Sequence, residues 1–250
     1  KLTANAFLAQ RISSINSISA LCEATGADIR EVSRAIGSDS RIGSKFLDSG
    51  PGFGGSCFKK DILNLVYLSE YFGLPTVATF WNEVVKINNW HQHRIAQLIT
   101  KKLFGTLSGK KIIILGFAFK KDTNDTRESA AIQICKDLLD EGASLYIHDP
   151  KVSKRQIEID LNLKSLQDKL DLSTPIDGSW QSIENIKEGM INADAVVILT
   201  EWDEYKEINW FEASKIMRRP AWVFDSRSII DSTKIKSAGL HFWRIGDGLL

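Results

Sequence analysis

Lys110-Lys111-Ile112-Ile113-Ile114-Leu115-Gly116 is a short β-branched run closed by glycine, and its unbroken apolarity predicts a strand covered on both faces. From this run onward, strands and helices alternate. Glu128 to Leu139 has helical spacing and stops at Gly142, and Ser144-Leu145-Tyr146-Ile147-His148-Asp149-Pro150 reads as a second strand ended by proline. Ala195 to Leu199, a helix around Asn209 to Met217, Ala221 to Asp225 and Leu240 to Ile245 continue the pattern. Such alternation predicts parallel βαβ units with right-handed crossovers, an α/β domain over residues 109–250. Leu161 to Glu184 is polar and irregular, and is expected to be a surface excursion carrying little chemistry.

Upstream, over residues 1–108, the period is helical. Leu2, Ala6, Ala9, Ile12, Ile15, Ile18, Leu21 and Cys22 recur at three- and four-residue spacing, which predicts one long amphipathic helix ending near Gly26. Its other positions are largely small, including Ala4, Ser13, Ser14, Ser17, Ser19 and Ala20, so a neighbour can pack closely. That neighbour is equally well a second copy of the chain or another helix of the same chain. Asp28 is placed to cap a short helix over Ile29 to Ile36, and further helices fit Ile62 to Phe72 and Val77 to Phe104, the last entered from Pro75.

Between these helices lies Gly50-Pro51-Gly52-Phe53-Gly54-Gly55-Ser56-Cys57-Phe58-Lys59-Lys60-Asp61, a glycine-rich loop that ends in a cysteine where a helix begins. Glycines let the backbone take positive φ and come close to a ligand, and a helix N-terminus with a lysine nearby favours thiolate over thiol. Taken alone, the loop serves a nucleophile and a buried core thiol equally well.

Composition narrows the class. The chain has 250 residues, a formal net charge of +1, 25% charged and 43% hydrophobic residues. Near-balanced charge gives no reason to expect a nucleic-acid partner. No apolar stretch is long enough to span a bilayer, so no membrane association is expected. Cys22, Cys57 and Cys135 lie far apart and without metal-ligand spacing, and the odd count suits reduced thiols and a cytoplasmic location.

In an open parallel sheet, ligands sit beyond the carboxyl ends of the strands. After the first strand comes Gly116-Phe117-Ala118-Phe119-Lys120-Lys121-Asp122-Thr123-Asn124-Asp125-Thr126-Arg127, which lacks the second and third glycines of a dinucleotide fingerprint. NAD is therefore not expected on this half, despite Asp149 standing where a ribose-binding acid would be. The loop instead offers Phe119 as a flat surface and Lys120, Lys121 and Arg127 as cations, suited to a base and phosphate oxygens or simply to a solvated cap for the next helix. Arg227, just past the Trp222 to Phe224 strand, is placed to reach phosphate or carboxylate, whereas Trp202 is expected to be structural.

Lys1-Leu2-Thr3-Ala4-Asn5-Ala6, Phe53-Gly54-Gly55-Ser56-Cys57-Phe58, Gly116 to Thr123, Thr200-Glu201-Trp202-Asp203 and Phe224-Asp225-Ser226-Arg227, in that order, resemble the nucleotide-sugar dehydrogenase family over nearly the whole chain. The resemblance implies an N-terminal helical dimerisation region followed by a Rossmann-like, doubly wound parallel-sheet domain that binds UDP. It also implies a preceding NAD-binding domain outside this chain, so the chain by itself is expected to be inactive. The activity implied is oxidation of UDP-glucose at C6, twice, to UDP-glucuronate with NAD, by a homodimer or higher homo-oligomer. Cys57 would hold the aldehyde as a thiohemiacetal and then a thioester; Lys1 and Asn5 would stabilise the reacting oxygen, and Asp61 would handle the hydrolytic water. The substrate would meet Lys1, Asn5, Arg41, the loop Asp48, Ser49, Gly50, Pro51, Gly52, Phe53 and Gly54, and Phe119, Lys120 and Arg227. Cys57, Lys60 and Arg127 would face NAD. Ser226 stands where the family carries glycine, which is expected to restrict the turn presenting Arg227. The alternatives are a dehydrogenase for another nucleotide sugar, or a non-enzymatic UDP-sugar-binding or oligomerisation module.

Overall fold

The computed structural model describes residues 1–168 and 178–249. They form two compact units, one from 1–92 with 245–249 and one from 93–244.

The first unit is helical. It contains α1 (Leu2–Thr25), α2 (Ile29–Gly37), α3 (Phe58–Tyr71) and the larger part of α4 (Pro75–Lys102). Asp28 caps α2 by accepting from Arg30 N, and Pro75 opens α4, where its missing N–H costs nothing. Gly26, at φ 79, ends α1 in the left-handed conformation that favours glycine. Ala6 and Ala9 of α1, Phe53, Ile62 of α3, and Trp81, Val84 and Val85 of α4 make one core cluster.

The expectation of a simple amphipathic α1 is corrected by its burial. The helix buries Ser13, Asn16 and Ser19 alongside Ala6, Ala9, Ile15 and Cys22, and it exposes Phe7, Ile18 and Leu21. The two serines are tolerated because they are paired: Ser13 Oγ donates to Val84 O at 2.8 Å and Ser19 Oγ to Asn16 O at 2.7 Å. Small side chains thus select the buried face here, ahead of hydrophobicity.

The second unit is built on β1 (Lys111–Leu115), α5 (Ala130–Asp140), β2 (Ser144–His148), α6 (Lys154–Leu161), β3 (Ser179–Ser182), α7 (Ile186–Met190), β4 (Ala195–Ile198), α8 (Trp210–Ile216), β5 (Trp222–Asp225), α9 (Ser232–Ser237) and β6 (His241–Arg244). All six strands are parallel, in the order β3-β2-β1-β4-β5-β6. This is the doubly wound order, with its switch point between β1 and β4. Ile112, Ile113, Ile114 and Leu115 are all 0% exposed, as a central strand covered on both faces requires.

The excursion expected over Leu161 to Glu184 is also corrected. It contains β3, whose Ser179 to Ser182 pair in parallel with Ser144 to Ile147 of β2. Ser-Trp-Gln-Ser carries no apolar alternation, yet Trp180 is 1% exposed and donates Nε1–H to Leu163 O at 2.8 Å. One tryptophan anchors an otherwise polar edge strand. Residues 169–177 of that stretch lie outside the described residues.

Candidate functional site

Cys57 is the residue before α3, and its carbonyl accepts from Asp61 N at 2.9 Å to close the first turn. It is exposed, with Ser56 Oγ 3.6 Å from its sulfur. Cys22 and Cys135 are buried, and burial first, then carboxylate neighbours, pushes both thiols up, Asp28 and Glu23 for Cys22 and Asp137 for Cys135. Of the three thiols, only Cys57 is therefore open to a reagent or substrate.

One turn into α3, Asp61 is buried and accepts from Asn5 Nδ2 at 2.6 Å. Asn5 N in turn donates to Lys1 O at 3.1 Å, so Lys1, exposed at the start of α1, stands one turn below Asn5 on the same helix. A carboxylate that fixes one N–H of an amide leaves the other N–H for a second acceptor. Cys57, Asp61 and Asn5 thus form a thiol, an acid and a donor on two adjoining helix starts.

The glycine loop before Cys57 is held by polar side chains that sequence reasoning did not single out. Gly50 N donates to Asn16 Oδ1 at 3.0 Å and Gly50 O lies 3.0 Å from His91 Nε2. Phe53 N donates to Asn88 Oδ1 at 2.8 Å, and Asn88 Nδ2 donates back to Phe53 O at 3.2 Å. Asn16, Asn88 and His91 are all buried. A signal was available in α4, where Asn88 falls on the stripe set by Trp81, Val84, Val85, Ile95 and Ile99. A polar residue on a buried stripe needs a partner.

Gly54 is half-buried, while Pro51 is buried between the pinned residues Gly50 and Phe53, with Gly52 at φ 134. Asp48 is exposed and Ser49 half-buried just before them. Arg41 sits on an exposed loop, its guanidinium 2.6 Å from Asp39. Arg11 of α1 fixes that loop by donating to Ile42 O, Gly43 O and Lys45 O at 2.7–3.0 Å. Lys60 is exposed on the first turn of α3.

In the second unit, the strand ends are tied together. Phe119 is half-buried, with Lys120 Nζ 5.5 Å from its ring centre and Lys120 itself exposed. Arg227 is only 18% exposed and spends its donors inward, on Leu199 O at 2.8 Å and Phe119 O at 3.1 Å, with Glu201 3.2 Å away. Burial pulls its pKa down, against the Glu201 and Asp225 carboxylates. Arg227 therefore links the loops after β1, β4 and β5. The Ser226 turn is not restricted as expected: Ser226 Oγ donates to Ile198 O at 2.6 Å, and the left-handed position is Ser228, at φ 54. Arg127 is exposed beside Asp125 at 2.7 Å.

The turn after β1 is filled from within. Asp149 Oδ2 accepts from Phe117 N at 2.7 Å, Ala118 N at 3.0 Å and Trp202 Nε1 at 3.2 Å, while Oδ1 accepts from Lys151 N and Val152 N, both at 2.9 Å. The acid at the end of β2 occupies the amides that a pyrophosphate would use. Trp202, buried, has the structural role expected of it. At Gly116, φ 94, a Cβ would lie 2.3 Å from Thr200, which keeps these strand ends in close contact.

Comparison with known proteins follows the same two units. Residues 1–90 match the central domain of the UDP-glucose/GDP-mannose dehydrogenase family, and residues 113–232 match the UDP binding domain of that family. The chain is 55% identical over 248 residues to UDP-glucose 6-dehydrogenase of Gallus gallus, covering 98% of this chain and 49% of that protein. It is 50% identical over 258 residues to UDP-glucose 6-dehydrogenase 3 of Arabidopsis thaliana, covering 100% and 53%. Among solved structures, a UDP-glucose dehydrogenase from the archaeon Pyrobaculum islandicum superposes with a TM-score of 0.76 at 28% identity, over 97% of this chain and 49% of that one. The chain spans about half the length of the curated relatives it matches.

Proposed function

Because the chain belongs to the UDP-glucose/GDP-mannose dehydrogenase family, we propose that it supplies the thiol and the nucleotide-binding unit of an NAD-dependent UDP-glucose 6-dehydrogenase, which oxidises UDP-glucose to UDP-glucuronate. The observation that carries this is local. The one exposed cysteine of three stands one turn from a buried acid that orients an amide donor.

The chemistry these residues support starts with an aldehyde at the sugar C6. The Cys57 sulfur forms a bond to the carbonyl carbon, the carbonyl π pair moves onto oxygen, and the alkoxide is stabilised by the Lys1 ammonium and the second N–H of Asn5. Protonation from Lys1 gives the thiohemiacetal. In the oxidation to the thioester the hydroxyl proton would return to Lys1; Asp61 then takes a proton from water as it attacks the acyl carbon, the C–S bond breaks, and the thiolate leaves. NAD, when bound, supplies the hydride acceptor. Lys60 and Arg127, both exposed cations, suit its phosphate oxygens, while Asp149 keeps a pyrophosphate out of the turn after β1.

For the substrate, Phe119 offers a face for the uracil and Lys120 a cation for the diphosphate, with Arg227 fixing the loop that carries both. By the family resemblance, Arg41 and residues 48–54 are assigned to the substrate as well. Exposed Phe7, Ile18 and Leu21 on α1, and Tyr67 and Tyr71 on α3, support assembly into a homodimer or larger homo-oligomer. The three free cysteines support a cytoplasmic location. Among the described residues, no helix is long and apolar enough to cross a membrane.

The test is an NAD-dependent oxidation assay on the enzyme containing these residues, parent against Cys57→Ser. The serine variant is expected to make no UDP-glucuronate. Full conversion to the acid by that variant would sink the thioester route.

A further inference from the structure

The glycine loop poses a question that the thiol does not answer: what sets its conformation. Phe53 is 5% exposed, and its backbone N–H and C=O both point into the protein, where each needs a partner. A single side chain meets both. Asn88, 4% exposed on α4, accepts from Phe53 N at 2.8 Å and donates to Phe53 O at 3.2 Å, as a neighbouring strand would. This closure demands a bare backbone beside it. A Cβ on Gly52 would lie 2.9 Å from Asn88 Oδ1 and 3.1 Å from Gln92 Nε2, and φ 134 at Gly52 excludes ordinary side chains as well. Gly52 and Asn88 are a matched pair.

From Phe53 the constraint runs to the thiol by two routes. Along the chain, only Gly54, Gly55 and Ser56 separate Phe53 from Cys57, and Gly55 is at φ 82. Through space, the Phe53 ring meets Phe58 edge-on, with centroids 5.9 Å apart. Phe58 is the first residue of α3 and the immediate neighbour of Cys57. Phe53 also packs in the cluster that joins Ala6 of α1, the residue after Asn5, to Ile62 of α3, the residue after Asp61. Fixing the backbone of Phe53 therefore fixes the start of α3 against α1.

We infer that Asn88 is a positioning residue for Cys57: its carboxamide clamps Phe53 over Gly52 and thereby sets how the thiol is presented at the start of α3. The importance given to Cys57 rests on the functional reading above, whereas the clamp itself rests on the hydrogen bonds. A buried carboxamide has no need to be here for packing alone. An apolar side chain would fill the space but would leave Phe53 N and O unpaired.

The experiment follows alkylation of Cys57 by iodoacetamide in the full chain, read by intact mass and peptide mapping across neutral to alkaline pH. Asn88→Ala is compared with Val84→Ala, a cavity one turn earlier on α4 in the same cluster and without a hydrogen bond to the loop. Asn88→Ala is expected to change the neutral-pH rate by about threefold or more and to displace the pH profile, the scale on which helix-terminus geometry alters thiol chemistry. Val84→Ala is expected to lower stability and leave the profile in place. Superimposable profiles for parent and Asn88→Ala, or equal displacement by Val84→Ala, overturn the inference. If Asn88→Ala does not fold, Asn88→Asp, which keeps the acceptor for Phe53 N and loses the donor, is measured in its place under the same criteria. Alkylation reads the surroundings of the thiol and not turnover. A Cys57→Ser enzyme that still made the acid would remove the nucleophile and leave this result standing, and the converse holds.

Discussion

Asn5 of α1 donates its side-chain amide to the buried carboxylate of Asp61 on α3 at 2.6 Å. Two residues far apart in sequence are thereby held as one acid–amide unit beside an exposed thiol. Removing the donor leaves Asp61 with an unmet acceptor in a buried place. Asn5→Ala should destabilise the protein by about 1–3 kcal/mol, seen as a lower denaturant midpoint at unchanged slope. A midpoint equal to that of the parent would show that the pair does not hold α1 to α3.

The three thiols should separate cleanly under a limiting alkylating reagent. Cys57 is exposed, whereas burial raises Cys22 and Cys135 and covers their sulfurs. Mass spectrometry of the folded protein at neutral pH should find one adduct, on the peptide containing Cys57. Two more should appear only in denaturant. Early labelling of Cys135 would contradict the packing of α5.

Arg227 donates to the carbonyls of Leu199 and Phe119, so under the proposed function it would act on nucleotide binding only through the Phe119 loop. Lysine carries the charge but not the planar fork that serves two carbonyls at once. Both Arg227→Met and Arg227→Lys should therefore weaken UDP binding, by about tenfold for loss of a charge-assisted tie, in titration calorimetry. A lysine variant that bound as tightly as the parent would show that charge alone suffices.

Asp203 is brought down to about 2 by hydrogen bonds from Lys206 and then Lys121. Its folded pKa lies below the ordinary carboxylate value, so the stabilisation is present above about pH 4 and is lost as pH falls through the folded value. A carboxyl NMR titration of Asp203 should have its midpoint near 2. Lys206→Met should raise that midpoint, and Lys121→Met should raise it less. Because the group is on the surface, its effect on overall stability should be small and weakened by salt.

The sheet was legible because its signal is chemical repetition. Ile112 to Leu115 read as a covered strand, and the breaks at Gly142 and Pro150 frame its neighbour β2. β3 was not legible, since Ser179 and Gln181 take their strand conformation from pairing with β2 and from the anchoring of Trp180. The loop marked Cys57 as a candidate thiol, and the resemblance alone pointed to Asn5 and Asp61. What holds them could not be read. Asn16 and His91 sit in helices whose polar residues look solvent-facing until the glycine loop is laid against them, and Asn88, though marked by its place on a buried stripe, gives no sign in sequence of which backbone it holds. Asp149 shows the same limit: it stands where a ribose-binding acid would, on a half not expected to bind NAD, and only the amides of Phe117 and Ala118 reveal what it does instead, an internal tie.

Residues 245–249 belong with the helical unit: Gly246 O accepts from Ile29 N at 2.8 Å, Gly246 N donates to Glu23 across 223 positions, and Gly248 N donates to Ala27 O at 2.9 Å. During synthesis, at about 5–20 residues per second, α1 and α2 are made before the sheet, yet these bonds can form only once residues 245–249 have followed it. The unit that carries the thiol is thus begun before the sheet and completed after it.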